Sequence, residues 1–86
     1  MYRLVQSREA ERFYQRCDKP AAGKLARCFA ALERDPRSGN NVKPLKGRFS
    51  GAFRYRVGDL RVVYTINDAT LTVFVITIAN RKDVYE

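Results

Sequence analysis

Histidine is absent from the 86 residues, cysteine occurs twice, and nine acidic side chains face seventeen Lys and Arg. Without histidine, a zinc site has almost no ligands to use, and histidine-based ribonuclease chemistry is excluded. The carboxylates show none of the paired spacing that metal-dependent nuclease chemistry calls for. Cys17 and Cys28 fall on apolar positions of predicted helices. Cysteines so placed act as small core residues rather than as a disulfide or metal pair. No apolar run is long enough to span a membrane. Met1–Gln6 carries Arg3 and leads straight into a polar stretch, so no signal peptide is expected and the chain reads as cytoplasmic. A Gly-rich phosphate cradle is also missing, which argues against a nucleoside-triphosphate site. There is no internal repeat and no low-complexity segment.

What is present is compact and basic. The length fits a single domain, 1–86, and hydrophobic residues make up 45% of it, enough for a real core. The net charge is +8 and the pI near 10.0. Such an excess calls for a polyanionic partner, nucleic acid or an acidic protein.

Along the chain, Tyr2–Gln6 alternates and reads as a short strand. Ser7 is a good helix N-cap, with Glu9 and Glu11 near the positive end of the helix dipole. Ala10, Phe13, Tyr14 and Cys17 recur at helical spacing. Asp18-Lys19-Pro20 starts a second helix with proline in its first turn. Leu25, Cys28, Phe29 and Leu32 form its stripe, and Pro36 stops it. The tight junction makes a helical hairpin. Arg37–Gly51 reads as a loop rich in glycine, asparagine and serine, basic and without an acid, anchored by Val42 and Leu45. A β-meander follows: Ala52–Val57, a two-residue turn at Gly58-Asp59, Leu60–Ile66, a turn at Asn67-Asp68-Ala69, and Thr70–Ala79. The last strand is apolar on both faces, which places it inside the sheet. Asn80–Glu86 is a polar tail with one aromatic, Tyr85. The expected fold is therefore α+β: an N-terminal strand and a two-helix hairpin packed on a small antiparallel sheet that ends in the meander, with part of one sheet face left open.

The first hairpin carries the functional signal. A two-residue loop at Gly58-Asp59 sets Val57 opposite Leu60, Arg56 opposite Arg61 and Arg54 opposite Val63. Phe53, Tyr55 and Val57 then face the other way with Leu60, Val62 and Tyr64. Arg54, Arg56 and Arg61 share one face, two of them directly cross-strand. Like charges so placed destabilise a sheet by up to about 1 kcal/mol, and folding has no use for them. A solvated face that merely tolerates arginine is the plainer account. Three arginines beside a basic loop favour an anion site, because guanidinium forks can converge on one phosphate. For catalysis, RNA brings its own nucleophile, the 2′-OH. Aligning that hydroxyl and stabilising the developing negative charge supplies much of the rate. Arginine suits the second task but stays protonated, which leaves lysine or tyrosine as the proton acceptor.

The runs Pro44-Leu45-Lys46-Gly47, Phe53-Arg54-Tyr55-Arg56-Val57-Gly58-Asp59-Leu60-Arg61-Val62-Val63-Tyr64, Val73-Phe74-Val75-Ile76 and Asn80-Arg81-Lys82-Asp83-Val84-Tyr85 resemble the RelE family of toxins from toxin–antitoxin pairs, over nearly the whole chain. The resemblance implies a ribosome-dependent endoribonuclease that cuts mRNA in the A site without a metal or other cofactor. In such enzymes the 2′-OH attacks the adjacent phosphate and leaves a 2′,3′-cyclic phosphate. It implies a RelB-like acidic antitoxin as partner. Arg54 and Arg56 stand where the family has basic catalytic residues. Arg61 matches the arginine on the scissile phosphate, and Arg81 the one that stabilises the transition state or helps protonate the leaving 5′-oxygen. Tyr85 matches the tyrosine that stacks on a base and orients the 2′-OH. Lys43, Lys46 and Arg48 are expected to bind RNA. Two departures leave the general base open: Asn80 replaces a histidine of many relatives, and Lys43 a glutamate of some. Two other readings remain. One is a ParE-like inhibitor of DNA gyrase on the same scaffold, against which Arg61, Arg81 and Tyr85 argue together. The other is a plain RNA-binding module.

Overall fold

In the computed structural model, which describes residues 1–80, the chain runs β1 (Arg3–Gln6), α1 (Arg8–Arg16), α2 (Lys19–Arg34), β2 (Val42–Pro44), a 3-10 turn at Gly47–Phe49, β3 (Phe53–Val57), β4 (Leu60–Asn67) and β5 (Thr72–Asn80). Each helix starts where its capping side chain dictates. Ser7 Oγ accepts from the Ala10 amide at 3.0 Å, and Asp18 Oδ1 accepts from the Ala21 amide at 2.9 Å. Ser7 does more than cap: its hydroxyl donates to the Ile76 carbonyl at 2.6 Å, and its amide donates to Val75 at 2.8 Å. The start of α1 is thereby tied to β5. No helix among the described residues is long and apolar enough to cross a membrane.

The five strands form one sheet in the order β1-β5-β4-β3-β2. The α+β architecture is the expected one, with two refinements. The sheet is mixed, because β1 lies parallel to β5, Leu4 beside Val73 and Val5 beside Phe74. The hairpin of helices carries the chain back across the sheet after β1, so the last strand reaches β1 running in the same direction. Within the expected loop 37–51, Val42–Pro44 forms a short edge strand antiparallel to β3. Proline hides this strand from a sequence reading, yet an edge strand tolerates its missing N–H. The interior position of β5 matches expectation, although it starts at Thr72 and β4 is the central strand. Leu71, just before it, sits at φ 50°, in the left-handed region.

Both helices cover one sheet face. Ala10, Leu25, Cys28 and Leu32 interdigitate there with Val62, Tyr64, Val73, Val75 and Ile78, each taken from water at about 25 cal/mol per Å2 of apolar surface. Cys28 is a core residue, and burial pushes its thiol up to about 12; Cys17 is half-buried, and both are free thiols. On the other face a smaller cluster of Leu45, Ala52 and Val63, flanked by Phe49 and Ile76, seals the loop after β2. Leu45 thus proves the stronger of the two expected anchors, while Val42 is only half-buried.

Tyr64 is fully buried, and its hydroxyl donates to the Pro36 carbonyl at 2.6 Å. This bond fastens the end of α2 to the central strand. Tyr64→Phe should cost about 1–3 kcal/mol, since a buried carbonyl loses its donor; urea unfolding measures it, and an unchanged midpoint would refute this fastening role. A second tie joins the residue before β1, the loop after α2 and the turn between β4 and β5. The Arg37 guanidinium grips Asp68 through two bonds of 3.0 and 2.8 Å, and Tyr2 donates to the same carboxylate at 2.6 Å. These partners, Arg37 first, hold the Asp68 carboxyl below its ordinary value. A depressed carboxyl adds stability above its unfolded value, near 3.9, and loses it as pH falls through the folded one. Asp68→Asn should therefore lower the thermal midpoint modestly at pH 7, with the gap to wild type closing below about pH 4.

Candidate phosphate-binding site

Gly58 has φ +58° and is followed by Asp59 with negative φ, the pattern of a type II′ hairpin. That turn sets the register Val57–Leu60, Arg56–Arg61 and Arg54–Val63. The cross-strand pair of arginines expected from the turn is present, and Arg54 lies two residues along on the same side of β3. Beyond β3, the short β2 places Lys43, one of the expected RNA-binding residues, directly opposite Arg54, a register that the sequence did not show. Three adjacent strands therefore carry two like-charge pairs, Lys43 with Arg54 and Arg56 with Arg61.

Burial divides the arginines. Arg54 is 7% exposed and Arg61 only 2%, whereas Arg56 is exposed. The Arg61 guanidinium folds back on its own hairpin, where Nη1 donates to the carbonyls of Gly58 at 3.2 Å and Leu60 at 3.1 Å. Holding it there limits its freedom to move, so the charge is pre-positioned. Arg54 forms the floor of a groove of about 150 Å3 whose other walls are Lys43, Pro44, Leu45 and Lys46. Lys46 thus joins Lys43 and Arg54 around one opening that contains no acid. Arg48 sits apart from this groove on the 3-10 turn, its guanidinium carbon 5.5 Å from the centre of the Phe49 ring. Arg81 and Tyr85 lie outside the described residues. The last described residue, Asn80, is registered opposite Leu60, next to Arg61.

Charge of one sign gathered on a sheet is chemically suited to a phosphate. A single phosphodiester can accept from several guanidinium and ammonium donors at once, and it removes the repulsion between them. Among the described residues no group of three or more His, Cys, Asp or Glu comes together as metal ligands would. Two residues were overlooked because sequence distance hides them. Lys24 and Arg27 of α2 reach the same end of β3 as Arg56. Their i, i+3 spacing puts both on one helix face, but nothing in the sequence says which strand that face meets.

Lys43→Gln tests the charge crowding. It should raise stability by up to about 1 kcal/mol at low salt and reduce the stabilisation that added sulfate gives the wild-type protein. Urea unfolding with and without sulfate reads both; a destabilised variant with an undiminished sulfate response would contradict the assignment.

The family model described as ParE toxin of type II toxin–antitoxin system, parDE, matches residues 4–85. Toxin RelG of Mycobacterium tuberculosis is 38% identical over 58 residues, a stretch covering 66% of this chain and 63% of that protein. Among solved structures, the RelBE2 toxin–antitoxin complex of M. tuberculosis superposes with a TM-score of 0.78 at 27% identity, covering 93% of this chain and 98% of that one. The YoeB/ParE toxin of Agrobacterium tumefaciens gives 0.81 at 25%, with 91% and 96% covered. RelE in the RelE–RelB complex of Pyrococcus horikoshii gives 0.82 at 23%, with 96% and 98% covered, a likeness of fold.

Proposed function

The chain belongs to the ParE toxin family of type II toxin–antitoxin systems, and from its arrangement of cations we propose that it is a metal-independent endoribonuclease, cleaving mRNA in the ribosomal A site and so blocking translation. The observation that carries this reading is the two pairs of opposed cations, Lys43 against Arg54 and Arg56 against Arg61, with two of the three guanidiniums buried. Buried cations at fixed positions are worth more to a developing charge than mobile surface ones, since no reorganisation is needed as the reaction proceeds. The mRNA strand lies over Arg54 and Arg61 with its scissile phosphate between them. The 2′-OH passes its proton to a lysine or tyrosine as its oxygen bonds to the phosphorus, the bond to the 5′-oxygen breaks and that oxygen takes up a proton, and the products are a 2′,3′-cyclic phosphate and a 5′-hydroxyl. Arg54 and Arg61 neutralise the extra charge on the phosphorus oxygens. Lys43, Lys46 and Arg48 hold the flanking backbone. Arg81 and Tyr85 take the roles that the resemblance gives them, on the leaving oxygen and on the base beside the 2′-OH. Alignment and charge stabilisation supply the rate, in keeping with a chain that has no histidine.

The partner is an acidic antitoxin. The M. tuberculosis and P. horikoshii relatives are toxin–antitoxin and RelE–RelB complexes, and a net charge of +8 favours an acidic counterpart electrostatically. The matched family bears the parDE name, which supports a second reading: a gyrase inhibitor without nuclease activity.

Primer extension on translating ribosomes decides between them. Wild type should give codon-linked cuts, and Arg81→Ala and Tyr85→Phe should abolish them. Intact mRNA together with gyrase inhibition would establish the second reading and overturn the first.

A further inference from the structure

A larger cleft, about 340 Å3, opens at the C-terminal end of β3 between α2 and the hairpin turn. It is lined by Lys24, Arg27 and Arg56, with Asn41, Tyr55 and Gly58 among its other walls. Its size is at the lower end of the roughly 300–1,000 Å3 of ligand sites. Three cations line it and no acid does. Lys24 Nζ hangs over the turn, 3.9 Å from where a Cβ on Gly58 would stand. Lys24, Arg27, Asn41 and Arg56 are all exposed, and among the described residues none of the three cations forms an ion pair. Asp59, on the same turn, lines a different groove with Lys24 and forms no ion pair with it.

Folding does not explain this gathering. Lys24 and Arg27 repel each other at i, i+3, and Arg56 already faces Arg61 across the ladder. Arg56 is the link between the two sites: it pairs with Arg61 in the arginine hairpin, and it is also one of the residues lining the cleft. A strand whose phosphate sits at Arg54 and Arg61 would pass Arg56 and enter the cleft with a neighbouring phosphate. We propose that this cleft is a second phosphate subsite, in which Lys24, Arg27 and Arg56 hold the single-stranded RNA backbone beside the scissile position. The ligand is a phosphodiester in a flexible strand. Three cations with no acid among the lining, and an exposed asparagine amide for a sugar hydroxyl, favour it over a segment of an acidic protein; the apolar walls of Cys28, Tyr55 and Val57 can take a sugar or a base. The inference rests on the RNA-cleaving reading above.

The test is equilibrium binding of a fluorescent single-stranded RNA of about ten nucleotides, by anisotropy across a salt series, with wild type, Lys24→Ala/Arg27→Ala and Arg61→Ala. Both altered helix positions are exposed, so the fold should hold, and a thermal midpoint equal to wild type verifies it. Each phosphate contact in a single strand contributes about 0.7 to the slope of log K against log salt. The double variant should bind about tenfold more weakly at 0.1 M salt and show a slope reduced by about 1.4. A dinucleotide, too short to reach both places, should bind both proteins equally. Unchanged affinity and slope in the double variant, alongside weakened binding by Arg61→Ala, would overturn the subsite and leave the RNA reading standing. No RNA binding by wild type would remove both. Loss of binding to poly-glutamate with RNA binding intact would overturn the subsite in favour of protein docking.

Discussion

A two-residue turn governs this molecule. Gly58 at φ +58° closes a type II′ hairpin whose twist matches the strands it joins, and side chains along a strand alternate with a period of two. One residue of slip would move every side chain of β3 or β4 to the opposite face. Tyr64, Val62, Phe53 and Tyr55 would leave the helix-covered core, and the arginines would enter it. The register is held from the core side by the packed rings of Phe53 and Tyr64, 5.8 Å apart, and by Tyr64 reaching Pro36. The same constraint therefore builds the hydrophobic core on one side and assembles the cations on the other.

The two faces of the sheet are stabilised differently. Under the helices lies a continuous apolar cluster that draws on α1, α2, β4 and β5. On the far side, the buried apolar cluster is smaller, Leu45, Ala52 and Val63 with their neighbours, and Arg54, Arg56, Arg61 and Lys43 stand beside it. Like charges opposite one another weaken a ladder, so this face spends stability that the core supplies. Strain or repulsion retained at one place, with the surrounding structure over-determining it, is characteristic of functional surfaces. The arrangement accounts for a basic chain whose apolar core supports a face crowded with cations.

Much of the fold was legible because its signals are local. Ser7 and Asp18 cap helices wherever a hydrophobic periodicity follows them, Pro36 stops one, and Gly58-Asp59 with flanking alternation makes a hairpin with a known register. The pairing of Arg56 with Arg61 follows from that loop length alone. The signals that failed were also physical. Val42–Pro44 is too short, and too compromised by proline, to declare itself a strand; it becomes one only because β3 offers it an edge. The parallel placement of β1 beside β5 joins residues about seventy apart, and no local pattern encodes it.

By itself the sequence determined the charge, the helix boundaries, the hairpin register and the face on which three arginines stand, because each of these depends on neighbours within a few residues or on a turn of known geometry. Tertiary structure decided which of those arginines are buried: Arg54 lies among Lys43, Pro44, Leu45 and Lys46, Arg61 folds back on the carbonyls of its own hairpin, and Arg56 stays exposed. It also decided that Lys43 faces Arg54 and that Lys24 and Arg27 stand across a cleft from Arg56. Those contacts join segments that only the packing of α2 and β2 against β3 brings together, and packing depends on the whole core rather than on any stretch of the chain.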